Sequence, residues 1–214
     1  MQLSAKAFIG AVFLGMLGAV PARAATVLAV PFTSQAPLGN WSEPYQDFCE
    51  EASAVMAAHF LWGVPVTANI ADSEMRIMKR YEELVFGGRS DDTSIDETAS
   101  ILRVLYGFKN ITTRAIRSPN EIKEEISAGR LVLAPAAGEL LKNPYFKHPW
   151  PLYHMVVIRG YDDAKNTFIT NDSGTRRGNG LGYDQSVLWG AIHDWNHGDV
   201  LHGEKKVMIV EKQH

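Results

Sequence analysis

Three residues of this chain have side chains that together could attack an acyl carbon: Cys49, His154 and Asp172. Cys49, the single cysteine, follows a polar loop and begins a helical run, where free backbone N–H groups are expected to favour the thiolate. His154 begins an apolar strand and could act as the base. Asp172 follows one turn and one strand later, so a hairpin would let it orient the imidazole. The three residues predict a thiol nucleophile, a base and an orienting carboxylate.

Two further roles have competing candidates. Asn171 is the alternative to Asp172 as the orienting residue, although the two side chains point to opposite faces of one strand. The oxyanion needs donors already in place, and the backbone N–H of Cys49 is one of them. Gln35, at the start of the loop before Cys49, is favoured as the second donor over Gln46, which could instead cap the helix.

Other polar residues favour structural interpretations. Glu50 and Glu51 suit the positive end of their helix, but either one would raise the pKa of Cys49 if it pointed at the thiol. The histidines near the C-terminus, His193, His197 and His202, favour a surface or structural role over a zinc site. Gly178 to Gly182 lacks the strand-to-helix context of a phosphate loop, and we predict a mobile loop at the rim of the cleft.

Periodicity predicts helices first and a mostly antiparallel sheet afterwards, which is an α+β arrangement. The first helix, 49–60, has apolar positions at three- and four-residue steps and should bury one face. The other predicted helices are 73–85, a helix capped by Thr93 that ends at Gly107, one with a capping box at Ser118 and Glu121 that ends at Gly129, and 186–195. The predicted strands are 25–32, 111–116, 131–135, 154–160, 167–171 and 207–210.

The first 24 residues are typical of a signal peptide. Lys6 supplies positive charge, an apolar run extends from Ala7 to Val20, and Ala22-Arg23-Ala24 fits a cleavage site. The run is shorter than the roughly 20 residues of a bilayer span, so no stable membrane anchor is expected. We predict export to the periplasm or the medium, leaving residues 25–214 as one domain. One cysteine excludes an internal disulfide, and stability must come from a core that 46% hydrophobic content permits.

Charge excludes one class of partner. The chain has a formal net charge of −3, and removal of two basic residues with the signal peptide makes it −5. No basic patch for nucleic acid follows from this composition. We expect a monomer that acts on a peptide or protein substrate and needs neither cofactor nor metal.

Five segments of this chain share their residues with a known group: Val30–Pro37 with Trp41, Cys49–Ser53, His154–Asp162, Asn171–Gly178 and Ala191–Trp195. They resemble the bacterial cysteine peptidases of family 39, the double-glycine leader or bacteriocin-processing peptidases, in their stand-alone peptidase-like branch. The resemblance implies a papain-like fold with Cys49 as nucleophile, His154 as base, Asp172 as orienting residue and Gln35 in the oxyanion hole. Glu50 and Glu51 depart from the small residues that follow the cysteine in transporter-linked members.

The function predicted from sequence is therefore an exported cysteine peptidase that works through a Cys49 thioester acyl-enzyme. One alternative keeps the same site but acts on cell-wall peptides as an amidase or transpeptidase. The other is a catalytically inactive binding protein on the same fold.

Overall fold

The computed structural model describes residues 25–87 and 92–212, which form an α+β structure. The strands are β1 (Thr26–Val27), β2 (Ile111–Ala115), β3 (Leu131–Ala137), β4 (Tyr153–Asp162), β5 (Thr167–Asp172), β6 (Asn179–Asp184) and β7 (Lys206–Val210). The helices are α1 (Cys49–Trp62), α2 (Ala68–Val85), α3 (Ile95–Tyr106), α4 (Pro119–Ser127) and α5 (Gln185–Ala191). Short 3₁₀ helices occupy Tyr45–Asp47, Gly138–Leu141 and Val200–His202. The predicted signal peptide lies outside the described residues.

These strands form a single antiparallel sheet. Its order is β2-β7-β3-β4-β5-β6, with the short β1 paired to β4. The hairpin predicted between β4 and β5 is confirmed, and its register pairs Val156 with Asp172. Because side chains alternate along a strand, His154 and Val156 share one face, and that face also carries Asp172. The register thus decides that the carboxylate, and not Asn171, lies on the face of His154.

Helices cover both faces of the sheet. Met155 and Val157 of β4 pack in one core cluster with α1, α2 and α3, whereas Val156 and Ile158 pack in a second cluster with α4 and α5. Residues 49–60 of α1 are buried, so the prediction that only one face of this helix is buried was wrong. Two more helices and the sheet enclose α1, and its first-turn carboxylates are buried as a result.

The helix ends differ from the predicted caps at two places. Ser94, not Thr93, caps α3, and it forms a reciprocal capping box with Glu97. Ser118 precedes α4 but makes no side-chain cap bond. The carboxylate of Glu121 instead accepts hydrogen bonds from Arg114 and from the backbone N–H of Arg117, so the predicted box at Ser118 was wrong.

The segment predicted as a mobile rim loop, Gly178 to Gly182, mostly belongs to strand β6, which pairs with β5. The glycines led to the prediction of a loop, because glycine is depleted in strands and usually indicates a turn. Here a Cβ at Gly182 would lie 2.9 Å from Thr167 Cγ2, and Gly180 has a φ of +72°. Close strand approach and a left-handed residue explain the glycines.

No helix in the two described stretches is long and apolar enough to cross a bilayer.

Candidate active site

A cleft of about 810 Å³ opens where α1 begins and β4 begins. Cys49 and His154 both line it, together with Gln35, Gln46 and Trp41. The structure therefore brings the predicted nucleophile and base to one cavity although 105 positions separate them in the chain. Asp172, fully buried, lies behind His154.

Cys49 is the first residue of α1, where its backbone N–H has no acceptor within the helix. The residue is only 4% exposed, and its Sγ donates a hydrogen bond to Glu50 Oε2 at 2.8 Å. Burial raises the pKa of the Cys49 thiol well above its usual value, and the charges of Glu50 and Asp92 raise it further. The predicted lowering by the helix N-terminus was therefore wrong, because desolvation and two carboxylates outweigh the helix dipole.

The Glu50 carboxylate contacts both the Cys49 thiol and the backbone of the segment before α3. Its Oε1 accepts a hydrogen bond from the backbone N–H of Thr93 at 2.8 Å. Burial, followed by the charge of Asp92, raises the pKa of Glu50 to about 8. A carboxylate pointing at the thiol was expected to raise the pKa of Cys49, and Glu50 is that carboxylate.

The imidazole of His154 is held from one side. Its Nε2 lies 2.8 Å from Asp172 Oδ1, which leaves Nδ1 as the nitrogen able to exchange a proton with another group. The ring of Phe146 packs edge-on against it, with 5.0 Å between ring centroids. Gly174 borders the same ring, and a Cβ there would lie 2.9 Å from His154 Cε1. The ring is thus fixed in orientation by one hydrogen bond and two close neighbours.

Asp172 is surrounded by donors. Besides His154, the backbone N–H of Gly174 donates to Oδ1 at 2.9 Å, Asn143 Nδ2 donates to Oδ2 at 2.9 Å, and the Tyr183 hydroxyl also donates to Oδ2. Burial by itself would raise the pKa of Asp172, but the charge and hydrogen bond of His154 and the other donors outweigh it, and this pKa is lowered. Asp172 is therefore ionised and able to stabilise a protonated His154.

Asn143 and Tyr183 were missed by the sequence analysis. Asn143 comes from the loop after the second 3₁₀ helix and Tyr183 from β6, and the two also bond each other, Nδ2 to hydroxyl, at 2.7 Å. No local spacing connects them with Asp172. Asn171, the alternative orienting residue, has its Nδ2 3.3 Å from each of the backbone carbonyls of Val30 and Pro31, away from the imidazole.

Gln35 and Gln46 both line the cleft, but their amides have other partners. Gln35 Nε2 donates to the backbone carbonyls of Tyr45 and Gln46, at 3.0 and 2.6 Å. Its Oε1 is buried without a hydrogen-bond partner. Gln46 Nε2 donates to Glu43. Gln35 therefore stabilises the turn before Cys49 through its side-chain amide. For a role in the oxyanion hole, that amide would have to rotate and donate into the cleft.

The C-terminal histidines have local partners. His193 Nδ1 donates to the backbone carbonyl of Gly203 at 3.0 Å, and His202 Nδ1 lies 2.8 Å from Asp199. Helix α5 ends at Ala191, so His193 and His197 do not share a helical face. Among residues 25–87 and 92–212, no group of three or more His, Cys, Asp or Glu side chains could hold a metal ion.

A family model and a solved structure both relate this chain to the C39-like peptidases. Residues 27–194 match the model of the Peptidase_C39 like family. A crystal structure of a protein from Bacillus anthracis classed as a C39-like peptidase superposes with a TM-score of 0.57 at 14% sequence identity, covering 90% of this chain and 100% of that one. At this identity the match shows the fold alone. No curated protein sequence matches the chain significantly.

Proposed function

Because this chain belongs to the Peptidase_C39 like family, we propose that it is a cysteine peptidase and that Cys49 hydrolyses peptide bonds through a thioester acyl-enzyme. One observation carries the proposal: His154 lines the same cleft as Cys49 and lies 2.8 Å from a buried, ionised Asp172. A thiol, an imidazole and a carboxylate in this arrangement are the parts that acyl transfer requires.

The proposed reaction begins with transfer of the thiol proton from Cys49 to His154 Nδ1. The thiolate attacks the substrate carbonyl carbon, and the free N–H of Cys49 donates to the oxyanion of the tetrahedral intermediate. His154 then gives its proton to the leaving amine as the C–N bond breaks. Water, deprotonated by His154, hydrolyses the thioester and releases the acid and the free thiol.

Asp172 serves this cycle through His154 alone. Its Oδ1 accepts from Nε2, which holds the imidazole with Nδ1 free, and its charge stabilises the imidazolium that forms in both steps. The cleft walls suit a peptide chain, since the aromatic side chains of Trp41, Tyr145 and Phe146 line them. Residues 1–24 carry the signal-peptide pattern, and export to the periplasm or the medium is part of the proposal.

One observation favours a second function, that of an inactive binding protein on this fold. Cys49 is buried and faces Glu50, and both features oppose thiolate formation. A binding protein would keep the cleft and its aromatic walls while the thiol stayed protonated.

Peptide turnover by purified residues 25–214 separates the two functions. We expect hydrolysis of a mixed fluorogenic peptide library, loss of activity in Cys49→Ala, and a loss of roughly 10²–10⁴ in rate in His154→Ala. The matched control is His202→Ala, which removes an exposed histidine that does not line the cleft. Turnover that survives Cys49→Ala would refute the peptidase proposal. Tight binding of peptides without turnover would establish the binding protein instead.

A further inference from the structure

We propose that Glu50 is a catalytic residue of this site: its carboxylate keeps the Cys49 thiol protonated, and Cys49 becomes nucleophilic only when Glu50 itself carries a proton. The inference rests on the proposed function in that Cys49 is the nucleophile, and it adds the group that regulates that nucleophile.

The contact is direct and enclosed. Cys49 Sγ donates to Glu50 Oε2 at 2.8 Å, and Glu50 is 2% exposed. The other carboxylate oxygen accepts a hydrogen bond from the backbone N–H of Thr93 at 2.8 Å, so both oxygens of the carboxylate have a donor. A carboxylate placed this way touches the reacting atom of the site and is screened little by solvent.

The groups that face Glu50 oppose its ionisation. Cys49 and Glu51 lie beside it on α1, Asp92 lies on the segment before α3, and Tyr153 approaches from β4. Each of these groups is neutral or negative, and none is a cation. Burial and the charge of Asp92 raise the pKa of Glu50 to about 8, which places its titration near neutral pH.

Proton balance shows why the charge of Glu50 matters. Formation of the thiolate moves one proton from Cys49 Sγ to His154 Nδ1. If Glu50 is ionised, the product is a thiolate in contact with a carboxylate, two like charges at buried positions. If Glu50 has first taken a proton from solvent, its O–H can donate to the thiolate sulfur in place of the lost S–H bond. Only the second route gives a hydrogen-bonded thiolate.

Control of the Cys49 thiol by Glu50 predicts an unusual pH dependence of thiol reactivity. The raised pKa means that Glu50 is protonated below about pH 8 and ionised above it. As pH rises through that value, the carboxylate forms and holds the thiol proton, so thiolate formation stops increasing. An ordinary thiol, in contrast, gains thiolate with every step in pH up to its own pKa.

The test is the rate of Cys49 alkylation by iodoacetamide, followed by intact mass between pH 5.5 and 9.5. In Glu50→Gln we expect a rate close to that of the unsubstituted protein at pH 6 and at least ten times higher at pH 9. The control is Glu51→Gln, which removes a neighbouring buried carboxylate whose charge acts on the thiol less than that of Glu50 and which accepts no hydrogen bond from it, and we expect it to change the rate less than threefold. If the alkylation rate of Glu50→Gln stays within about twofold of the rate of the unsubstituted protein at every pH, the proposal is overturned.

Two further readouts keep the outcome decisive. If Glu50→Gln does not fold, the unsubstituted protein alone decides, because its alkylation rate must level off above about pH 8, and a rate that keeps rising overturns the proposal. A thiol that never reacts, in either protein, overturns it as well. Peptide turnover is measured separately. If turnover is lost in Cys49→Ala while Glu50→Gln is alkylated at the same rate as the unsubstituted protein at every pH, the peptidase proposal is supported and only the role of Glu50 is refuted. If the alkylation profile of Glu50→Gln is shifted but no peptide is turned over, control of the thiol by Glu50 is supported and the peptidase proposal is refuted.

Discussion

Gly174 gives His154 the space for its working orientation, and Gly174→Ala should therefore disable the site while leaving the fold intact. The glycine follows Asp172 by two residues and borders both the imidazole and the ring of Phe146. A methyl group at this position would enter the narrow space between two rings.

The size of the effect follows from the distances. An added Cβ would lie 2.7 Å from Phe146 Cε1 and 2.9 Å from His154 Cε1, against an ordinary contact of 3.4 Å or more. One or both rings must then move by roughly 0.5 Å or more, since carbon atoms do not approach so closely. Overpacking of this kind costs about 1–3 kcal/mol of stability, which a folded domain survives. A misplacement approaching 1 Å at a reacting group costs about 10²-fold in rate.

The measurements are kcat/KM on a peptide substrate, iodoacetamide alkylation of Cys49, and thermal unfolding. We expect about a hundredfold loss of kcat/KM in Gly174→Ala with a Tm that falls by several degrees. Gly190→Ala is the matched control, because it lies in α5 and a Cβ there would meet nothing within 4 Å. That control should keep full activity and gain about 0.5–1 kcal/mol of stability, since alanine restricts the unfolded chain.

Unchanged kcat/KM in Gly174→Ala would refute the reasoning, because it would mean that the orientation of His154 does not limit the reaction. Equal losses in both glycine variants would also refute it, since the control removes no space from the site.

Two more predictions concern buried carboxylates. Tyr183→Phe removes one donor from Asp172, so the pKa of Asp172 should rise and the acidic limb of the kcat/KM profile should move to higher pH; a pH–rate series that overlays that of the unsubstituted protein would contradict this. Burial raises the pKa of Glu82 from 4.5 to about 7. Its stabilising contribution is therefore complete below about pH 4.5 and lost as pH rises through about 7, a loss of up to about 3 kcal/mol. In Glu82→Gln, urea unfolding at pH 5 and pH 9 should show a smaller loss of stability than in the unsubstituted protein, and an equal loss would contradict the assignment.

The site places carboxyl groups next to the proposed nucleophile, where they oppose formation of the thiolate. Glu50 and Asp92 raise the pKa of Cys49, whereas Asp172, the carboxylate proposed to serve catalysis, is kept ionised by the charge of His154 and by hydrogen-bond donors. The same residue type thus has opposite consequences at two positions of one cleft. The difference comes from neighbouring charge, since His154 faces Asp172 and Asp92 faces Glu50, and from hydrogen-bond donors, of which Asp172 has four and Glu50 has two.

The sequence by itself determined the elements that carry the site. The helical period after Cys49, the apolar run after His154 and the turn before Thr167 are local patterns, and each predicts its element without knowledge of the rest of the chain. The chemistry of a thiol, an imidazole and a carboxylate also follows from residue types alone. Strand alternation further shows that Asn171 and Asp172 point to opposite faces, but not which face carries His154.

Only the tertiary structure decided how those groups meet. The β4–β5 register selected Asp172, and Asn143 and Tyr183 reached it from segments with no sequence pattern in common. The enclosure of α1 by two helices and the sheet buried Glu50 against Cys49 and reversed the expected direction of the thiol pKa. The physical reason is that burial and side-chain contacts depend on elements distant in the chain, whereas periodicity and capping depend on neighbours within a few residues.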